Sequence, residues 1–99
     1  MNLTAPAYIA NYIAGALQAP LNGKYIDNVN PATGEVYSQT PDSDIKDVEE
    51  AVGAAKAAFP VWSTTPVEER FRILNKIAEL IDENLDALAL AETNDNGKP

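Results

Sequence analysis

The sequence predicts an α+β chain in which short β-hairpins precede two or three amphipathic helices. Up to Pro41, runs of aromatic and β-branched residues alternate with turn signals. After Pro41, apolar residues recur at spacings of three and four, the period of a helix. The charge changes at the same point, because residues 1–41 carry a net −1 and residues 42–99 a net −7. We therefore divide the chain into hairpins and turns over 1–41 and helices over 42–99.

The first hairpin is predicted from a strand-forming run and a turn. Residues 8–13 are rich in aromatic and β-branched side chains, which favour strands. Ala14-Gly15 turns this strand back into residues 16–18. Pro20 ends the pair, because proline cannot donate to a ladder.

The second hairpin follows the turn signal at residues 22–23. Residues 25–29 and 35–39 alternate in polarity, as strands with two different faces do. The Pro-Ala-Thr-Gly turn over residues 31–34 joins them, since Pro31 fixes φ and Gly34 accepts a left-handed conformation. Alternation alone leaves the register of this pair open.

The first helix is predicted to begin after Ser43 or Asp44, either of which can cap it by accepting hydrogen bonds from the first free amides. Pro60 is predicted to end this helix, and Trp62 to fill the corner beneath the connection. The apolar stripe of the helix consists of Ile45, Val48, Val52, Ala55 and Phe59.

The second helix is predicted to begin with a capping box in which Thr65 and Glu68 satisfy each other's amides. Asn84 marks a break, followed by a short third helix over residues 86–93 and a stop at Gly97. The apolar stripe consists of Phe71, Leu74, Ile77 or Ala78, Ile81, Leu85 and Leu88. Such stripes on so short a chain need a partner layer, which predicts an incomplete domain.

The amino-acid composition excludes several kinds of catalysis and argues against several classes of binding partner. The 99 residues include neither cysteine nor histidine, which excludes a disulfide framework, a thiol nucleophile and imidazole acid–base catalysis. The net charge of −8 argues against binding nucleic acid or an anionic membrane. Without a long apolar run or a basic leader, the sequence predicts a soluble cytoplasmic protein.

Several segments of the chain form an ordered set with characteristic spacing. They are Asn-Pro-Ala-Thr-Gly-Glu-Val at 30–36, the Ala-rich run at 51–59 with Trp62, Glu69-Arg70, Arg72-Ile73-Leu74, and Glu-Thr-Asn-Asp-Asn-Gly-Lys-Pro at 92–99. This set resembles the opening of the NAD(P)-dependent aldehyde dehydrogenases, and the match runs from about Asn11 to Pro99 with the same order and spacing throughout. The stretch over residues 59–70 looks most similar to relatives that act on muconic-type semialdehydes.

The resemblance implies a partial domain, the N-terminal portion of an α/β cofactor-binding domain. Members of the family oxidise aldehydes to carboxylic acids with NAD or NADP, through attack of a cysteine thiolate and hydrolysis of a thioester. This chain has no cysteine and no Gly-rich turn for a dinucleotide. We therefore expect no catalytic or cofactor-binding residues in it, no bound NAD(P), and no activity of the chain alone. The expected partner is the remainder of a homo-oligomeric enzyme, or a second copy through self-association.

The resemblance also implies one candidate metal site. Many relatives hold a structural Na⁺ or K⁺ with backbone oxygens of the two residues before Asn-Pro and with the Asp of the Asp-Asn-Gly-Lys-Pro ending. Carried over, these residues are Asn28, Val29 and Asp95. The alternative is that Asn28 and Val29 are ordinary strand residues and Asp95 a helix-end residue.

Two other classes of protein remain open on the residues alone. An acyl-carrier-like module would be small, acidic and helical, with Ser43 as the carrier of a phosphopantetheine arm. A free-standing acidic helical interaction module would use its bare apolar stripe to bind a partner helix.

Overall fold

The computed structural model describes residues 7–99 and confirms the predicted α+β order, with antiparallel strand pairs followed by helices. The two pairs, β1–β2 and β3–β4, form separate two-stranded sheets. The elements of residues 7–99 are β1 Asn11–Ile13, β2 Ala16–Gln18, β3 Tyr25–Val29, β4 Val36–Pro41, α1 Ile45–Thr64, α2 Val67–Glu83 and α3 Leu85–Asn96.

The first hairpin forms as predicted, but its first strand is shorter. Asn11 lies opposite Gln18, and the turn has positive φ at both Ala14 and Gly15. The predicted strand over residues 8–13 is split, because Ile9 donates its backbone N–H to the Gln39 carbonyl at 2.8 Å. The main chain just before β1 therefore runs parallel to β4 and ties the two hairpins together.

The second hairpin contains a β-bulge that alternation did not predict. Asn28 lies opposite Ser38, whereas the next residue, Val29, lies opposite Val36. Tyr37 is therefore the extra residue on β4, and an extra residue bends and twists its strand. The turn closes with the Gly34 N–H donating to the Asn30 carbonyl at 2.8 Å.

Helix α1 begins at the second of the two predicted caps. Asp44 accepts from the Lys46 amide, and Asp47 accepts from the Asp44 amide, which completes a capping box. Asp47 is buried, and its other oxygen accepts from the Leu21 amide at 3.0 Å. The start of α1 is therefore fixed to the loop after β2.

The prediction that Pro60 ends the first helix is wrong, because α1 continues to Thr64. Proline removes one N–H, here the donor to the carbonyl of Lys56. Lys56 is exposed, so water can solvate this carbonyl and the lost bond costs little. Trp62 consequently lies in the last turns of α1 with 42% of its surface exposed, and the prediction that it fills a corner is also wrong.

The predicted capping box of the second helix is wrong as well. The Thr65 hydroxyl donates to the Val61 carbonyl at 2.8 Å and so closes α1, leaving Pro66 as the cap of α2 without a side-chain hydrogen bond. The break at Asn84 is confirmed. Helix α3 is longer than predicted, and it ends at Gly97 with φ 79° as expected.

Most large apolar side chains of residues 7–99 are exposed or only partly covered. Among residues 7–99, Ile13 is the one large apolar side chain that is buried, while Phe71 is 69% exposed. The radius of gyration is 16.6 Å, whereas a compact domain of this length has about 13 Å. No helix within residues 7–99 is both long and apolar enough to cross a bilayer. The helices thus present their stripes to the outside, as the sequence predicts.

Candidate functional site

The end of α3 meets the β3–β4 hairpin, and this junction contains two of the three predicted site residues. The Asn28 amide donates to Asp95 Oδ1 at 3.4 Å. The Tyr37 hydroxyl donates to the same oxygen at 3.0 Å. Residues 67 positions apart in the sequence are thereby brought together around one carboxylate.

Close packing of two turns positions this carboxylate. Gly97 has a left-handed backbone, and a Cβ at this position would lie 3.1 Å from Pro31 Cγ. Such a distance is below ordinary van der Waals contact, so glycine permits the close approach of the two turns. The Asn-Pro-Ala-Thr-Gly turn and the Asp-Asn-Gly-Lys-Pro ending, which carry the family resemblance, therefore form one contact.

The bulge supplies the rest of the junction. Asn28 also donates to the hydroxyl of Ser38, a buried residue, at 2.9 Å. Val29 follows Asn28 at the point where the register shifts. A bulge interrupts the regular ladder, which makes backbone oxygens available for other partners. The structure thus brings Asn28 and Asp95 into contact, and Val29 directly follows Asn28 in β3.

Sequence reasoning missed Tyr37 and Ser38. Both lie on β4, where alternation assigns every second residue to the same face. The bulge changes that assignment locally, and no residue in 35–39 signals its position. The sequence signal that could have identified Tyr37 is its chemistry, a hydroxyl donor next to the Asn-Pro-Ala-Thr-Gly turn.

The electrostatics of the junction favour a positive charge. Asp95 lies in the last turn of α3, where the helix dipole is negative and no basic residue is present. Within residues 7–99, the ion pairs join Arg72 with Glu69 and Lys76 with Glu79, and none involves Asp95. Its hydrogen-bond donors, an amide and a phenol, are neutral. A cation near this carboxylate would therefore be stabilised.

The Tyr37 phenol remains a donor at neutral pH. Partial burial raises its pKa above the usual 10.0, and the hydrogen bond to Asp95 and the carboxylate's negative charge raise it further. The Asn28 side chain acts in the opposite direction. The net effect is that Tyr37 stays protonated throughout the neutral range.

A second concavity lies between β1 and the start of α1. It is an open groove of about 240 Å³ with a mostly apolar lining. Its polar groups already bond to the protein, because Ser43 accepts from Asn11 at 2.8 Å and Asp47 caps α1. The lining residues are Asn11, Tyr12, Ile13, Ser43, Asp47, Val48 and Ala51.

Residues 7–99 contain no group of three or more His, Cys, Asp and Glu side chains placed to share a metal ion. A cation at the Asp95 junction would therefore be held by one carboxylate together with backbone, amide or hydroxyl oxygens. Alkali cations bind to this kind of oxygen set, since they are hard ions.

The sequence model of the aldehyde dehydrogenase family matches residues 19–99, more than four fifths of this chain. The chain belongs to the aldehyde dehydrogenase family. The resemblance on the turn and helix motifs is thereby confirmed. The acyl-carrier-like and free-standing interaction modules are not favoured, because the related proteins are aldehyde dehydrogenases.

The relatives with similar sequences are several times longer than this aldehyde dehydrogenase segment. A probable aldehyde dehydrogenase of Mycobacterium tuberculosis is 48% identical over 89 residues, which are 90% of this chain and 18% of the relative. The 2-aminomuconic semialdehyde dehydrogenase of Mus musculus is 43% identical over 90 residues, 91% of this chain and 18% of the relative. Similarity to the muconic-type group therefore does not exceed similarity to other members, and that assignment stays a prediction.

Solved structures show that the fold is that of the family. An aldehyde dehydrogenase from Bacillus cereus superimposes with a TM-score of 0.88 at 35% identity, over 93% of this chain and 19% of that one. Aldehyde dehydrogenase C from Pseudomonas syringae, solved as a mutant with NAD⁺ and octanal, gives 0.85 at 41% identity, over 89% of this chain and 18% of that one. The strand pairs and helices described above thus correspond to a part of an α/β enzyme.

Proposed function

We propose that this chain is the amino-terminal segment of an NAD(P)-dependent aldehyde dehydrogenase and serves there as scaffold. The observation that carries the proposal is the family match over residues 19–99, combined with a span of only about a fifth of the relatives' length. In this role the segment supplies edge strands and outer helices of the cofactor-binding part. It shapes the surroundings of a cleft whose reactive groups come from other segments.

The side chains of this segment indicate which steps of the reaction must be carried out by other parts of the enzyme. A bound nicotinamide cofactor would accept a hydride from the aldehyde carbon, and NAD or NADP is the expected form. This sequence has no thiol to form the covalent intermediate, so the nucleophile must lie in another part of the enzyme. No residue of the segment is assigned to catalysis or to the cofactor.

The exposed helical faces support the scaffold role. Phe71 and Leu74 on α2 are 69% and 61% exposed, and Ile45 on α1 is 66% exposed. Covering one such side chain is worth about 1.5–3 kcal/mol. In the full-length enzyme these faces would be covered by later parts of the chain or by a neighbouring subunit. In the isolated segment they would drive self-association.

Activity measurements on two lengths of chain test the proposal. The full-length enzyme is expected to form reduced nicotinamide cofactor when supplied with an aldehyde and NAD⁺ or NADP⁺, whereas the 99-residue chain alone is expected to form none. Omitting the aldehyde gives the control. A full-length protein inactive on a broad panel of aldehydes with both cofactors would contradict the function, and activity of the segment alone would contradict the scaffold role.

We also propose that Asn28, Val29 and Asp95 contribute to a structural Na⁺ or K⁺ site. The contact of Asn28 with Asp95, the bulge at Val29 and the absence of a basic residue in the last turn of α3 support it. The melting temperature of the full-length enzyme should rise more with KCl or NaCl than with choline chloride at equal ionic strength. Asp95→Asn should abolish the difference, and an equal response to the three salts in the wild type would rule the site out.

The cytoplasmic location and the homo-oligomeric state of the enzyme are further proposals. Both follow from the sequence-based expectations, and subcellular fractionation and light scattering of the full-length enzyme test them. Recovery of the enzyme in a membrane or secreted fraction would contradict the first, and a monomeric mass the second.

A further inference from the structure

Tyr37 occupies an unusual place at the junction of α3 with the β3–β4 hairpin. It is the extra residue of the bulge, since its neighbours Val36 and Ser38 face the consecutive residues Val29 and Asn28. Its hydroxyl nevertheless makes the shorter of the two hydrogen bonds to Asp95, at 3.0 Å against 3.4 Å from Asn28. The phenol is thus the stronger link between β4 and the carboxylate.

The chemistry of this bond is suited to holding a carboxylate in place. A hydrogen bond to a charged acceptor is about twice as strong as one between neutral groups. Tyr37 occupies only Oδ1 of Asp95, and Oδ2 accepts no hydrogen bond from the residues that the structure describes. A neutral donor also leaves the carboxylate its full negative charge, which a lysine or arginine would have neutralised.

We propose that Tyr37 is a positioning residue for the cation site, holding Asp95 through Oδ1 so that its charge and second oxygen are directed to a Na⁺ or K⁺. This inference rests on the cation site proposed above. The inference adds Tyr37 to that site as a residue that does not touch the ion and acts through Asp95. If Tyr37 served only as a tether between hairpin and helix, its loss would lower stability equally with and without the cation.

The test is a double-mutant cycle in the full-length enzyme. Melting temperature is measured over a titration with KCl, with choline chloride keeping the ionic strength constant, for the wild type, Tyr37→Phe, Asp95→Asn and the double variant. Tyr12→Phe serves as the matched control, because it removes the hydroxyl of an exposed tyrosine. Tyr37→Phe keeps the ring, so its packing is preserved.

Tyr37→Phe is expected to raise the half-saturating KCl concentration about tenfold, as the loss of a hydrogen bond to a charged group does. Tyr12→Phe should leave it unchanged. In the Asp95→Asn background, removing the hydroxyl should have no further effect on the KCl response, because the residue through which it acts is already altered.

Three outcomes are distinguishable. A KCl response of Tyr37→Phe equal to that of the wild type, with the response of Asp95→Asn lost, would overturn the role of Tyr37 and leave the cation site standing. A wild type without any cation-specific response would overturn both. If Tyr37→Phe does not fold, a crystal structure of the wild-type full-length enzyme grown with RbCl in place of KCl decides. A cation on Asp95 Oδ2 with the Tyr37 hydroxyl on Oδ1 supports the inference, whereas a cation on Oδ1 or no ordered cation at Asp95 would overturn it.

Discussion

At the scale of single residues, the buried carboxylate of Asp47 joins the start of α1 to the loop after β2. It is 4% exposed and accepts amide hydrogen bonds from Asp44 at 3.2 Å and from Leu21 at 3.0 Å. One carboxylate thus caps α1 and fixes the loop after β2. Without this carboxylate the amides of Asp44 and Leu21 would lose their acceptor, and an amide left without a partner costs free energy.

We therefore expect Asp47→Ala to lower the free energy of unfolding of the full-length enzyme by about 1–3 kcal/mol. Urea denaturation followed by circular dichroism measures this change. Glu49→Gln, on the exposed side of the same helix, is the matched control and should change stability little. Equal stability of Asp47→Ala and wild type would contradict the role assigned to this side chain.

Substituting alanine for glycine is expected to have opposite effects on stability at two positions. Gly97 has φ 79° and lies against Pro31, so Gly97→Ala should cost about 1–2 kcal/mol of stability through backbone strain alone. Gly53 lies inside α1 with open space around its Cβ position, so Gly53→Ala should add about 0.5–1 kcal/mol. Thermal unfolding of both variants tests the pair, and a change of the same sign in the two would contradict it.

The raised pKa of Tyr37 predicts a dependence of stability on alkaline pH. Because the folded state binds the phenolic proton more tightly than the unfolded state, the contribution of Tyr37 is fully present below pH 10.0 and is lost as pH rises through the folded pKa. Stability of the wild type should therefore fall above this pH more steeply than that of Tyr37→Phe. Parallel pH profiles of the two proteins would show that the pKa is not raised.

At the scale of elements, the features that depend on residues close together in the sequence were predicted correctly. The hairpins, the cap at Asp44, the break at Asn84 and the stop at Gly97 each depend on a few neighbouring residues, and each is confirmed. The bulge at Tyr37 depends on contacts with α3, far along the chain, and could not be predicted from alternation. The contact between Asn28 and Asp95 also joins distant parts of the chain, so it could be predicted only from the family resemblance.

The end of α1 shows how a strong local signal can be outweighed. Proline costs about 3 kcal/mol in a helix interior, yet α1 continues through Pro60 to Thr64. Hydroxyls of Thr64 and Thr65 satisfy carbonyls of this last turn, since they donate to Pro60 at 2.9 Å and Val61 at 2.8 Å. These bonds satisfy carbonyls at the end of the helix, whereas the Lys56 carbonyl, which lacks the proline N–H, is left to water.

Pro60→Ala should accordingly stabilise the last turns of α1, because it restores an N–H donor for the Lys56 carbonyl. Hydrogen exchange of residues 61–64 in the full-length enzyme is expected to slow several-fold, while exchange in α3, measured in the same sample, serves as the internal control. Unchanged or faster exchange in residues 61–64 would contradict the cost assigned to proline at this position.

At the scale of the whole molecule, the apolar faces are the dominant feature. Among residues 7–99 one large apolar side chain is buried, and the helical stripes predicted from the sequence are exposed. The chain also spans about 18% of the length of curated aldehyde dehydrogenases. Both facts are explained if these faces form part of the interior of a longer enzyme, in which the segment acts as scaffold.

Hydrogen exchange of α2 tests this account most directly, by comparing the isolated 99-residue chain with the full-length enzyme under the same conditions. The account predicts strong protection of residues 71–81 in the enzyme, and rapid exchange with concentration-dependent self-association in the isolated chain. A monomeric isolated chain that melts cooperatively and protects α2 as well as the full-length enzyme does would contradict it.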